Sequence, residues 1–522
     1  MAAQTAMRLG IDFGTTRTIV AAAVSGRYPL ASFETARGFT DYLPGLASFD
    51  GGELRLGWEA RPGSDDGLVR ALRSIKRAVS ALGPEDSVRQ LDERLNALDL
   101  TTAYLDFLRR MLLERSNLEL SPNEPLEAMV AVPANASSRQ RYLTLEAFRR
   151  AGFRVLGMIS EPTAAAIEFA QRNLGAIGQR TPKRYVVVYD LGGGTFDTSA
   201  VSLKGRRYDL IHSEGIARLG GDDFDEVIYR MALEAAKLDP RDVSDTERTW
   251  LLEMCREAKE ALTPSSRKML VDVGAVIADR EPVTLEVAAV YDACQPLVES
   301  TLQMLDRVFH KLSAFGIDPH NPRELGAIYL VGGATGFPPV AKSLRQRYKR
   351  KIQLAPEPHA STAVGLAIAA DPDSAIYVRE AVTRHFGVWR EGDGGREKVF
   401  DWIFAKDSSE PGSGSAVVTR CYRPAHAAGH LRFLEASELT AAGEPAGDIT
   451  PWGDFFFPYD PALRAVADLA RFTGERRDAL DEQIVETYRY TADGRVEVAI
   501  ENATRGYAKR FCVELRTPPA ER

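Results

Sequence analysis

The 522-residue chain is predicted to be α/β up to about Ala370 and mostly β beyond it. Short β-branched runs alternate with helical stretches in the first part, which is the pattern of an α/β fold. Glycine clusters follow two of the strands. Beyond Ala370, Asp371-Pro372-Asp373-Ser374 stops a helix, and short alternating segments separated by Gly, Pro and Asp take over.

The elements follow in order. Strands are expected at Arg8–Phe13, Met129–Val132, Tyr185–Asp190 and Ala327–Val331. Helices are expected at Leu100–Glu114, Arg139–Arg150, Thr246–Leu262 and Tyr291–Phe315. In the last part, Phe386–Val388, Val399–Ile403, Val417–Tyr422, Leu431–Leu434 and Arg495–Ile500 read as strands. Thr487–Tyr490 and Arg495–Ile500 flank Asp493-Gly494, a hairpin signal. Glu410–Ser415 reads as a mobile loop. The domains expected are 1–372, a linker 373–383 and a β domain 384–522. Ile11–Thr16 echoes Tyr189–Thr195, as two related half-domains would.

Composition narrows the function classes. Hydrophobic residues make up 44% and charged residues 27%, an ordinary globular balance. The formal net charge of −7 gives no basic footprint for nucleic acid or anionic membrane. No apolar run is long enough for a transmembrane helix, and Met1–Arg8 has no apolar signal core. The scattered Cys255, Cys294, Cys421 and Cys512 read as free thiols of a cytoplasmic protein. Cys421, His426 and His430 lack a fourth ligand for zinc. His212, His310, His320 and His385 are isolated.

Two segments carry chemistry. Asp12-Phe13-Gly14-Thr15-Thr16 and Asp190-Leu191-Gly192-Gly193-Gly194-Thr195-Phe196-Asp197 each follow a strand. Glycines let backbone N–H groups approach an anion closely, and threonine hydroxyls add donors. The aspartates would repel phosphate unless a divalent cation with its waters lay between. Alone, either loop could be a tight turn; together they suit a polyphosphate held from both sides. No GxxxxGK[ST] loop is present.

These residues resemble the phosphate motifs of the actin-like ATPase superfamily, and within it the DnaK-type chaperones of the heat-shock protein 70 family. Ile159–Ala166 is similar to the first helix connecting the lobes, and Ala363–Ala370 to the second. Arg218–Asp225 resembles the LGGxDFD segment, and Tyr329–Thr335 the adenosine motif. The resemblance runs in order from Met7 to about Ala370 and fades beyond Ile376 to the β half of the peptide-binding domain. It implies a two-lobed fold of ribonuclease-H-like halves with ATP or ADP and Mg in the cleft. It implies slow ATP hydrolysis that regulates binding of unfolded or extended polypeptides in protein folding and the stress response. A J-domain co-chaperone and a nucleotide-exchange factor are the implied partners, with no nucleic acid or membrane.

Residue by residue, the resemblance makes Lys76 the catalytic lysine, although alone it reads as an exposed helix lysine. Glu161 would position water, Asp190 and Asp197 would orient the nucleophile, and Thr195 would donate to phosphate. Asp12 and Asp190 would hold Mg, mainly through water. Gly14, Thr15, Thr16, Gly192, Gly193, Gly194, Gly220, Gly221, Gly332 and Gly333 would line the nucleotide, with Lys259 and Thr263 on the adenosine side. Pro133 and Arg141 would relay nucleotide state between domains.

Departures from the pattern fall on the adenine side and on communication. Arg256 and Glu260 reverse the usual charges, while Ala334 and Gly336 replace a serine and a stacking arginine. His359 stands for an aspartate. Lys76 to Pro133 is short, Ile376-Tyr377-Val378 replaces an acidic-leucine linker, and too few residues follow Leu515 for a helical lid. Asp448–Asp460, with Trp452 and Phe455–Phe457, reads as an insert: a partner surface or a core plug. Two other functions remain open, a nucleotide-sensing scaffold with weak or no ATPase activity binding a dedicated partner, and a small-molecule phosphotransferase.

Overall fold

The computed structural model describes residues 6–36, 38–50, 52–61, 69–173, 184–319, 321, 323–379, 382, 384–392, 397–406, 416–473, 481–491 and 496–511. His320, Glu410–Ser415, the Asp493-Gly494 turn, Cys512 and the end after Leu515 lie outside them. Contacts divide the chain into two compact units. One is Met1–Ala134 with Leu143–Val378; the other is Asn135–Tyr142 with Arg379–Arg522.

The first unit is built on two sheets with one repeated plan. Met7–Phe13 pairs antiparallel with Arg17–Ala22 and parallel with Leu126–Val132, which pairs with Arg154–Ser160. Tyr185–Leu191 pairs antiparallel with Phe196–Lys204 and parallel with Leu325–Val331. The echo between Ile11–Thr16 and Tyr189–Thr195 is thus an echo of position. Val186, Val187 and Val188 are fully buried. Helices cover both faces of such a strand, which explains its unbroken apolar run.

Helices Glu161–Arg172 and Ser361–Ala370 pack on each other, and Ser361–Ala370 also packs on the first strand. Contact is close enough to require glycine. A Cβ on Gly365 would lie 1.8 Å from the Ala164 carbonyl oxygen, and one on Gly10 2.1 Å from the Ala367 nitrogen. The helix Asp245–Glu260 starts on a capping box of Ser244 and Glu247. Tyr377 N donates to Arg206 O, which adds Tyr377–Arg379 at the edge of the second sheet.

The second unit is mostly β. One sheet runs Glu397–Phe404, His385–Gly392, Ala428–Leu439, Pro445–Pro458; the other runs Ala416–Tyr422, Ile484–Tyr490, Val496–Asn502, Tyr507–Phe511. Phe386, Phe433 and Trp452 from the first share one core with Ile484, Tyr488 and Val498 from the second, so the sheets form a sandwich. The supposed insert Asp448–Asp460 is mostly strand. Trp452 and Phe457 are buried in the core and Phe455 packs against it, which settles that segment as core rather than surface. Asn135–Tyr142, expected within 1–372, clusters here. Within this unit Ser138 donates from N and Oγ to Glu435, at 3.0 and 2.5 Å.

Among the described residues, no helix is long and apolar enough to cross a membrane. Cys255 and Cys294 are buried free thiols, both pushed up to about 12 by burial, and Cys421 is exposed.

Candidate functional site

The first unit encloses a cavity of ≈ 380 Å³ where the two glycine loops meet. Each loop is shaped by its glycines. Gly14 N donates to the Arg17 carbonyl at 3.1 Å, and a Cβ on Gly14 would sit 2.4 Å from that oxygen. A Cβ on Gly193 would meet the Thr16 methyl at 2.4 Å, and one on Gly194 the Thr15 methyl at 2.6 Å. The loops therefore face each other at van der Waals distance. Gly221 N and Asp222 N donate to the Gly192 and Gly193 carbonyls, fixing the start of helix Gly221–Ala235 against the second loop. Gly332 takes φ +84°, where a Cβ would strike the Leu191 carbonyl.

Strand ends deliver Asp12 and Asp190 to the cavity, and the N-terminal turn of helix Glu161–Arg172 delivers Glu161. Lys76 comes from the short helix Ile75–Val79, and its Nζ donates to Glu161 Oε1 at 2.6 Å. Burial and the Glu161 charge push the Asp12 carboxyl up to about 7, against the pull of Lys76. Burial, Glu161, Asp12 and Asp197 likewise raise Asp190 well above the usual carboxylate range. Lys76 is also raised: burial opposes its charge, but Glu161 and Asp12 outweigh burial. Negative charge here exceeds what the protein supplies to balance it. Among the described residues no three carboxylates converge as direct metal ligands, so these oxygen donors suit a hard divalent ion such as Mg held through its waters.

Of the residues singled out in the sequence, Lys76, Glu161, Asp12, Asp190, Gly14, Thr15, Thr16, Gly192, Gly193, Thr195, Gly221, Lys259, Gly332 and Gly333 line the cavity. Asp197 stands opposite Asp190 in the adjacent strand. Gly194 and Gly220 shape the loops from behind the lining. Thr263 is turned to a local role, its hydroxyl shared with Ser265 and Ser266 at 3.0 Å. The Lys259 ammonium is held by Asp225 Oδ1 at 2.6 Å and the Gly221 carbonyl at 2.7 Å. Pro133 follows strand Leu126–Val132. Arg141 is buried, clusters with the second unit, and bonds through Nε to Ala136 O.

Sequence reasoning missed the charged wall beside the loops. Arg73 bonds Asp225 at 2.8 Å and Glu253 at 2.7 Å, Ser74 Oγ bonds Asp222 at 2.6 Å, and Arg77 bonds Asp223. Arg17 also lines the cavity and pairs with Glu260. His359 Nε2 and Asp41 Oδ2 stand 2.9 Å apart, and that hydrogen bond holds Asp41 below the usual range. No local motif flags Arg17, Arg73 or Arg77, because their partners are far away in sequence.

A family model described as Hsp70 protein matches residues 87–382. Chaperone protein HscA homologs are similar over 70% of this chain. That of Chromobacterium violaceum is 31% identical over 382 residues. That of Laribacter hongkongensis is 30% identical over 388, and that of Pseudomonas fluorescens 31% over 387. The chain spans 58% of the length of each of these relatives.

Proposed function

The chain belongs to the Hsp70 family, and from that premise we propose that it is an ATP-dependent molecular chaperone of the DnaK type. One observation carries the proposal: two glycine loops face each other around Asp12 and Asp190, with the Lys76–Glu161 pair beside them. Backbone N–H groups and the hydroxyls of Thr15, Thr16 and Thr195 donate to the phosphates. Asp12 and Asp190 would hold Mg, which when bound supplies positive charge to the β- and γ-phosphates. Lys76, steered by Glu161, holds the attacking water in line with the γ-phosphorus. The new P–O bond forms as the bond to the bridging oxygen breaks, leaving ADP and phosphate. Catalysis of this kind is positioning and charge stabilisation.

ADP and ATP are the nucleotides, and unfolded or extended polypeptide is the client of the second unit. A J-domain co-chaperone and a nucleotide-exchange factor complete the proposed cycle, placed in the cytoplasm. The scaffold reading has one observation in its favour: the Lys259 ammonium is already engaged by Asp225 and Gly221. Radiolabelled ATP turnover with and without an unfolded peptide separates the two. Turnover that rises with peptide supports the chaperone; nucleotide binding without turnover supports the scaffold.

A further inference from the structure

The cavity has two chemically different ends. The loops, Lys76 and the aspartates form one. Arg256, Glu260 and Leu262 from the end of helix Asp245–Glu260 and its exit, with Ala334, Gly336 and Phe337, form the other. A Cβ at Gly333 or Gly336 would meet nothing within 4 Å, so that wall leaves an open slot. Arg256 Nε is buried there and has no hydrogen-bond partner among the described residues. An unmet donor beside an open slot calls for a ligand rather than a packed core.

Arg17 reaches this end from the first sheet. Its guanidinium carbon lies 4.4 Å from the centroid of the Tyr42 ring, and its Nη2 donates to Glu260 Oε2 at 2.5 Å. One face of the planar group is thus taken by Tyr42 and one edge by Glu260. Arg17 lines the cavity with its plane set by these two contacts, and a planar guanidinium can stack on a flat ring where a lysine cannot. The pair is electrically neutral, so its contribution falls on the ring more than on the phosphates.

We infer that Arg17 is the stacking platform for the nucleobase, with Glu260 as the residue that positions it. This rests on the nucleotide reading of the cavity. Stacking depends on ring area and not on edge pattern, so the site favours purine over pyrimidine nucleotides and separates ATP from GTP weakly.

The test is calorimetric titration of the full chain with Mg-ATP, Mg-GTP, Mg-CTP and Mg-tripolyphosphate, which carries the phosphates without a base. Arg17→Ala and Arg17→Lys are compared with the unaltered protein. Both variants are expected to lose about 3- to 30-fold in ATP and GTP affinity, with tripolyphosphate changed less than about twofold. Glu260→Gln is expected to show a smaller loss with the same selectivity. The lysine variant keeps the charge, so it separates stacking from electrostatics even if the alanine variant is unstable. Equal losses for tripolyphosphate and ATP would make Arg17 a phosphate ligand and overturn the inference. Unchanged ATP affinity in both variants would overturn it as well. Failure of the unaltered protein to bind any of the four would instead overturn the nucleotide reading, and this inference with it.

Discussion

Both units bury charge, but they treat it differently. In the sandwich, Glu486 is fully buried and every oxygen is met: Tyr422 donates at 2.7 Å, Tyr488 at 2.6 Å and Arg390 at 2.6 Å. Asp401 beside it accepts from Arg390 at 2.7 Å and Arg420 at 3.2 Å. In the cleft, Asp12 and Asp190 make no side-chain hydrogen bond to another described residue, and the nearby Lys76 is tied to Glu161. A satisfied buried charge cluster holds a fold together, whereas an unsatisfied one awaits a ligand.

The strongest way to break this comparison is at Lys76. Lys76→Ala is expected to lower ATP turnover by about 10²- to 10⁴-fold while Mg-ATP affinity moves less than about threefold. Equal loss of binding and turnover would make Lys76 part of the binding site alone. The sandwich counterpart is Glu486→Ala, which leaves Arg390 buried without its main partner. It should destabilise the second unit by about 3–5 kcal/mol, read as a lower thermal transition by calorimetry, with nucleotide affinity unchanged. A cost below about 1 kcal/mol would mean the cluster is ornamental.

The two clusters should also respond to pH with opposite signs. Asp12 moves from 3.8 to about 7 on folding, so in that window the folded state holds the extra proton. Stability of the ligand-free protein therefore falls as pH rises through the window. Asp401 is lowered: burial opposes its charge, but Arg420 and Arg390 prevail. Its contribution is present above 3.8 and is lost as pH falls through the lowered value. Asp12→Asn should thus raise the ligand-free melting temperature at pH 8 and remove the Asp12 part of the slope. A lower melting temperature would contradict the account of the cleft. The smallest effect is expected at Thr263. Its hydroxyl already serves a local turn, so Thr263→Ala should change ATP affinity less than about twofold in the same titration.

Sequence revealed what is local. Asp12–Thr16 and Asp190–Thr195 are contiguous strand-and-turn chemistry, and their glycines announce close backbone approach. Lys76 was visible only through family resemblance, since a lysine on a five-residue helix has no local signature. Arg73 and Arg17 were missed because their partners lie 152, 180 and 243 residues away. That Asp448–Asp460 lies mostly in the strand Pro445–Pro458 was hidden for a different reason. Gly447, Gly453 and Pro451 interrupt its alternation, and its register against Ala428–Leu439 shifts twice. Burial of Trp452, a tertiary outcome, resolves it.

The central claim is that the unbalanced carboxylates of the cleft make a magnesium-dependent nucleotide site. The most direct test is calorimetric titration of the full chain with ATP, with magnesium present or chelated, for the unaltered protein and for Asp12→Asn with Asp190→Asn. The account predicts binding that needs magnesium and is lost in the double variant, while Glu486→Ala retains it. Binding that ignores magnesium, or that survives loss of both aspartates, would contradict it.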